Sequence, residues 1–223
     1  MAEVEVPSYS YPGFETFLEV MKSKGGTVPE LAELIGVKEW KVRSALSMLH
    51  RMGLIRKRRA GRRFLYLPVK GDLRGAYLST FYRHLLVLHK PKDLNGLISS
   101  LWPGGKVSTS VKRAKYLVSL GLDLDVLKGK SSFSLREYAL NKVFAKALLE
   151  AYRRAGGEYV SLTRIFDTLE SWGLDREVAK KLTPRAVRDL RGRLTASPAI
   201  SEDVKRDGIL SDSGYLYYLY LEV

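Results

Sequence analysis

Six basic side chains crowd into eight positions, Arg56-Lys57-Arg58-Arg59 and Arg62-Arg63, with Gly61 between them. Packed this closely they repel one another, and an anionic partner relieves the repulsion. The chemistry such a run suits is charge-assisted binding of phosphates, each contact releasing condensed counterions. A second set precedes it. From Lys38 onward, Val42, Ala45, Leu46, Leu49 and Met52 recur at the spacing of one helical face. That leaves Trp40, Lys41, Arg43, Ser44 and Ser47 facing outward or sideways, with Lys38 a further expected contact at the helix start. An Arg or Lys there can reach guanine O6 and N7, while Ser and Lys near a helix start suit phosphates. Trp40 can stack on a nucleic-acid backbone, but packing against the first helix is the expected role.

Two later stretches carry weaker versions of the same chemistry. Lys106, Ser108, Thr109, Ser110, Lys112, Arg113 and Lys115 mix hydroxyls with basic residues and hold no acid. Of these, Lys106, Thr109, Lys112 and Arg113 are the expected phosphate contacts. Arg185, Arg188, Arg191 and Arg193 follow later, diluted by Asp189 and nearby acids, and the turn after them carries Asp212. Protein contact is the better expectation there. Tyr215, Tyr217, Tyr218 and Tyr220 could stack on bases, but their position in a strand-like run makes them packing residues.

Catalytic signals are poor. His50, His84 and His89 stand apart without metal-ligand spacing, and no activated serine accompanies them. The Gly-Gly pairs lack the Gly-Lys-Ser/Thr of a phosphate loop. LVSLGLDLD (117–125) has the look of the LAGLIDADG homing-endonuclease helix but lacks its acidic-residue-then-glycine ending. No enzyme and no cofactor is expected.

The basic sets need elements to hold them. Phe14, Phe17, Leu18 and Met21 predict a first helix, stopped at Gly25-Gly26. Thr27, then Pro29 in a first turn, opens a second helix carrying Leu31, Leu34 and Ile35, broken at Gly36. The third helix runs from Lys38 to Gly53. Leu54-Ile55, the basic turn and the alternating Phe64-Leu65-Tyr66-Leu67 then read as a hairpin.

The chain also echoes itself. FLYLPV (64–69) and YLYLEV (218–223) share four of six positions, and KSKGGTV (22–28) resembles RRAGGEYV (153–160). A fainter match sets Gly53 and Gly61 against Gly121 and Gly129, with helices expected at 77–88 and 94–101. In the last third, Leu162, Ile165, Phe166 and Leu169 form one helix. Thr183-Pro184 is expected to cap another, and DSG (212–214) to turn into the Tyr-rich strand.

Residues 27–69 resemble the winged helix-turn-helix of archaeal and bacterial regulators of the ArsR, MarR and TrmB sort. TVPELAELIGVKEWKVRSALSMLHRMGLI carries the resemblance, followed by RKRRAGRRFLYL: a turn glycine at Gly36, Gly53-Leu54-Ile55 closing the recognition helix, and Gly61 at the wing tip. The resemblance implies double-stranded DNA binding by the recognition helix and wing. With the echoes it predicts a mainly α fold with small β-hairpin wings, in three tandem units. These are an N-terminal winged helix (1–70), a degenerate winged helix or helical linker (71–134), and a C-terminal winged helix (135–223).

Charge agrees with that expectation. Lys and Arg number 38 against 24 Asp and Glu, a net +14. The excess is +6 in residues 1–70, +6 in 71–134 and only +2 in 135–223. Nucleic acid is the expected partner. A homodimer or protein contact through the middle or last unit is a further expectation. No run approaches the ~20 apolar residues of a membrane span, and the first residues lack a signal-peptide pattern. With no cysteine, disulfides and thiolate metal sites are excluded. Absence of glutamine, with only Asn95 and Asn141, suits a hyperthermophile cytosol. The composite expectation is a cytoplasmic, nucleoid-associated, sequence- or structure-specific DNA-binding regulator. Its alternative is a non-enzymatic subunit of a replication, partition or other nucleoprotein assembly.

Overall fold

The computed structural model describes residues 5–212 and 214–222. It is mainly helical with small antiparallel sheets. α1 (Phe14–Lys22), α2 (Val28–Ile35) and α3 (Glu39–Arg51) lead into the hairpin β1 (Ile55–Ala60) and β2 (Arg63–Pro68). Local chemistry sets the boundaries. The Glu30 carboxylate accepts the Thr27 N–H at 2.7 Å at the start of α2, which holds its carboxyl below the usual range. Gly36 and Gly53 adopt φ of 73° and 72°, the left-handed conformation that lets a helix end and the chain turn back.

Three helices and then a strand pair follow again, and a longer stretch with added elements comes last. α4 (Leu73–Leu86), α5 (Leu94–Leu101) and α6 (Val107–Asp123) precede a short hairpin of β3 (Leu127–Lys128) and β4 (Ser134–Leu135). α7 (Glu137–Ala155), β5 (Val160–Ser161), α8 (Leu162–Ser171) and α9 (Arg176–Asp189) precede β6 (Arg193–Ala196) and a longer return through α10 (Glu202–Asp207), β7 (Ile209–Ser211) and β8 (Gly214–Tyr220). In each of the three stretches the chain just before the second helix bridges to the last strand: Gly26 to Tyr66, Lys92 to Phe133 and Val160 to Leu219. In each stretch, too, the third helix ends in one left-handed residue, and the next N–H returns to a carbonyl five residues back. These are Gly53 with Leu54 to Leu49 (2.9 Å), Asp125 with Val126 to Gly121 (2.8 Å), and Arg191 with Gly192 to Val187 (2.8 Å).

This geometry corrects the sequence match of Gly53 with Gly121. Asp125 holds the place of Gly53, 72 residues on. Gly121 lies inside α6, where a Cβ would collide with the Leu127 side chain and the Tyr77 hydroxyl. Thr183-Pro184 is likewise no cap. α9 starts at Asp175, whose carboxylate accepts the Glu177 and Val178 N–H groups. Thr183 is buried in mid-helix, its hydroxyl donating to the Ala179 carbonyl at 2.8 Å. The helix expected at 77–88 starts earlier, at Leu73, and bends at Phe81. Of the DSG turn, Ser213 lies outside the described residues.

The chain divides into two compact units, residues 1–81 with 90–136 and residues 82–89 with 137–223. No division falls near residue 71, because α6 shares a core with the first helices. Tyr116 is fully buried and meets Tyr11 edge-on at 5.4 Å and Phe17 at 6.4 Å between ring centroids. In the second unit, β8 is hydrogen-bonded along both edges, to β6 on one side and to β5 and β7 on the other. Its core gathers Phe144, Leu148, Ile165, Phe166 and Leu219, all fully buried.

Candidate nucleic-acid interface

α3 buries Val42, Ala45, Leu46, Met48 and Leu49 against α1 and α2. At 100° per residue this leaves one outward stripe, Trp40, Arg43, Ser47 and His50–Arg51. Trp40 is 44% exposed, so its indole is not a core residue. Lys38 stands exposed at the N-cap, and Lys41 is half-buried beside Trp40. Arg43 holds Glu39 at 2.8 Å across one helical turn, with both side chains largely exposed. A pair so open to water adds little stability and yields readily to another anion.

Ser44, expected on this stripe, is only 1% exposed. Its hydroxyl donates to the Ser10 carbonyl at 2.8 Å and lies 3.2 Å from the Tyr116 oxygen. Tyr116 donates to the Ser44 carbonyl at 2.9 Å. Burial pushes the Tyr116 hydroxyl well above its ordinary pKa, keeping it a donor. Ser44 therefore ties α3 to α6 and is withdrawn from the outer face.

The hairpin register sorts the basic run. Residues directly opposite share a face, so Lys57 with Tyr66 and Arg59 with Phe64 line one side, while Arg56 with Leu67 and Arg58 with Leu65 line the other. Gly61 (φ 61°) opens a two-residue turn between Ala60 and Arg63. Lys57 Nζ sits 3.9 Å from the Phe64 ring centroid and Arg59 Nε donates to the Gly61 carbonyl at 3.3 Å. Arg56, Lys57, Arg58, Arg59, Arg62 and Arg63 are all exposed. Among the described residues none of them forms an ion pair with a carboxylate within 4 Å, although the Arg63 charge helps to hold the Glu30 carboxyl below its usual range.

Between α3 and the hairpin lies a cleft of about 460 Å³, walled by Arg43, Ser47, His50, Arg51, Lys57 and Tyr66. His50, Arg51 and Tyr66 were not expected there. The first two lie seven and eight residues beyond Arg43 on the same stripe, a spacing the sequence does carry. Tyr66 follows only from its register opposite Lys57.

A second cleft repeats the first. Of about 600 Å³, it lies between α6 and the β3–β4 turn, with Lys115, Val118, Ser119, Leu122, Lys130 and Phe133 among its walls. Lys115, Val118, Ser119 and Leu122 stand 72 residues beyond Arg43, Leu46, Ser47 and His50 of the first cleft. Of the residues expected from sequence, Lys106 is the exposed N-cap of α6, Lys112 is exposed and Thr109 is half-buried. Arg113 turns inward, its side chain 20% exposed and paired with Glu5 at 3.0 Å. The left-handed residue that ends α6 is Asp125, four residues beyond Gly121, so the residues that line this cleft lie about a turn after Lys106, Thr109, Lys112 and Arg113.

No protein-family model and no curated protein matches this chain. Among solved structures, one titled "SspB crystal structure" is similar over 98% of this chain and 85% of that one, with a TM-score of 0.49 and 11% sequence identity. No helix of the described residues is long and apolar enough to cross a membrane.

Proposed function

We propose that this protein binds double-stranded DNA without catalysis, as a transcription regulator built of tandem winged helices. The reading calls for a soluble, nucleoid-associated protein. One observation carries it: six exposed basic side chains on a tight hairpin, none in a close ion pair with a carboxylate among the described residues, flank a cleft under an exposed Arg43. Phosphates supply the missing counter-charge, and α3 supplies a stripe able to enter a major groove. The test is replacement of Arg58, Arg59, Arg62 and Arg63 by alanine, with affinity for duplex DNA followed against salt. The log–log slope should flatten by roughly two to four units, at about 0.9 per phosphate contact removed. Unchanged affinity and slope would remove the hairpin from any interface.

A second reading, a subunit of a replication or partition assembly, draws on the second unit alone. There the turn carries Asp212, and Ile200 and Leu210 are 67% and 73% exposed. Retention of a protein partner by a chain that fails to bind DNA would favour it.

A further inference from the structure

The second cleft has no role in the contacts just described. We infer that it is a second duplex-contacting site on the same chain, where Lys115 and Lys130 of its walls, with the exposed Lys112 one turn earlier on α6, grip phosphates of the DNA held by the first. The inference rests on the reading of the first cleft as a DNA interface.

The two clefts are built alike, position by position. Val42, Ala45, Leu46, Met48, Leu49 and Met52 are buried, and so are Ala114, Leu117, Val118, Leu120, Gly121 and Leu124, each 72 residues on. Trp40 and Arg43 are exposed, as are their counterparts Lys112 and Lys115, while Ser47 and Ser119 are both half-exposed. An aromatic ring of the last strand region closes each cleft, Tyr66 in one and Phe133 in the other. Each has a basic residue on the hairpin, Lys57 or Lys130. Among the described residues no carboxylate pairs with Lys112, Lys115 or Lys130.

The differences say what kind of contact this is. Lys115 replaces Arg43, a point charge in place of a planar fork able to hold guanine by two bonds. The β3–β4 hairpin pairs only two residues per strand, so it cannot reach along a groove as β1–β2 can. His50 is replaced by Leu122, and Tyr66 by Phe133, which removes polar groups able to read base edges. The second site therefore grips the sugar-phosphate backbone and adds affinity without sequence preference.

The test uses the full chain carrying K112A, K115A and K130A together, titrated with a random-sequence duplex of about four helical turns. The salt slope should flatten by roughly two to three units, and preference among sequences should stay as in the wild type. The length of DNA occluded per chain should shrink. The K112R, K115R and K130R chain should keep the wild-type slope, since charge alone is required. An unchanged slope and occluded length in the alanine triple, with the Arg58, Arg59, Arg62 and Arg63 variant still impaired, would overturn this inference and leave the first interface standing. Wild-type binding in both variants would overturn both.

Discussion

Ser44 and Tyr116 occupy the same position in α3 and α6, 72 residues apart, and bond to each other. The pair ties α3 to α6 inside the first compact unit, and the segment from Glu5 to Tyr11 reaches both helices. Arg51 donates to the Glu5 carbonyl, Arg113 pairs with the Glu5 carboxylate, and Tyr11 donates to Asp123. Burial and the nearby Asp123 carboxylate raise the Tyr11 pKa well above its ordinary value, so this donor is also kept.

Removing only the Tyr116 hydroxyl should have a modest effect. Tyr116→Phe is expected to destabilise the first unit by about 1–2 kcal/mol, through loss of the bond to the Ser44 carbonyl and the contact with its hydroxyl. Tyr116→Ala also opens a hole beside Tyr11 and Phe17, and should lower stability by about 3–5 kcal/mol. Urea unfolding midpoints measure both. An alanine variant within about 1 kcal/mol of wild type would show that α6 does not share the core of α1 and α3.

Adjacent residues on α3 should separate folding from binding. Ser44→Ala leaves the Ser10 carbonyl without its donor, for about 1 kcal/mol of stability, and should leave DNA affinity unchanged. Arg43→Ala should leave the fold intact and weaken one base pair of a preferred site by about 1–3 kcal/mol. A competition assay on single-base variants, run beside thermal unfolding, gives both readouts. If Ser44→Ala alone shifts base preference, the outward stripe has been drawn on the wrong face.

Much of α1 through β2 is legible in the sequence because its signals are local. Gly36 and Gly53 mark the ends of helices whose apolar residues recur at helical spacing, and the basic run falls on an alternating hairpin. Ser44 is illegible for the opposite reason: what buries it is Tyr116, far along the chain. Asp125 and Arg191 end α6 and α9 in a conformation that glycine favours, so a search for glycines passes over both. Pro184 suggests a helix start, but Thr183 and the packing of α9 on α7 carry the helix through it. The second cleft was hidden by the same four-residue error that matched Gly53 to Gly121.

Those left-handed helix ends make a prediction of their own. A Cβ at Gly53 would meet nothing within 4 Å, so Gly53→Ala tests the backbone torsion alone. It should destabilise by about 1–2 kcal/mol. Arg191 already bears that strain at φ 55°, so Arg191→Gly should stabilise the second unit by up to about 1 kcal/mol, after the unfolded chain's gain in freedom. Thermal midpoints of the two variants should move in opposite directions. Movement in the same direction would refute the shared role.

Asp207 should govern the acid limit of the second unit. It is fully buried and receives Arg176 at 2.7 Å, Arg206 at 2.9 Å and the Thr163 hydroxyl. Thr163 in turn lies 2.8 Å from the Tyr217 hydroxyl. Burial alone would raise the carboxyl's pKa, but the hydrogen bonds from Arg206, Thr163 and Arg176 outweigh it and hold the value below the ordinary range. A lowered folded-state pKa means the unfolded chain takes up the proton first. The stabilisation is therefore complete above the ordinary aspartate pKa, and is lost as pH falls through the depressed folded value. Asp207→Asn removes the charge at every pH and leaves Arg206, among the described residues, with the exposed Asp203 at 2.9 Å as its carboxylate partner. The loss at neutral pH should be on the order of 3 kcal/mol, the usual result of breaking a buried ion pair from one side. Trp172 lies in this unit, with Arg83 4.6 Å from its ring centroid, so its fluorescence in a W40F/W102F background follows the transition. The variant's stability should also fall less steeply between about pH 5 and pH 2 than that of the wild type. Parallel acid profiles for the two chains would show that Asp207 binds its proton alike in the folded and unfolded states, and the network would then be no acid limit.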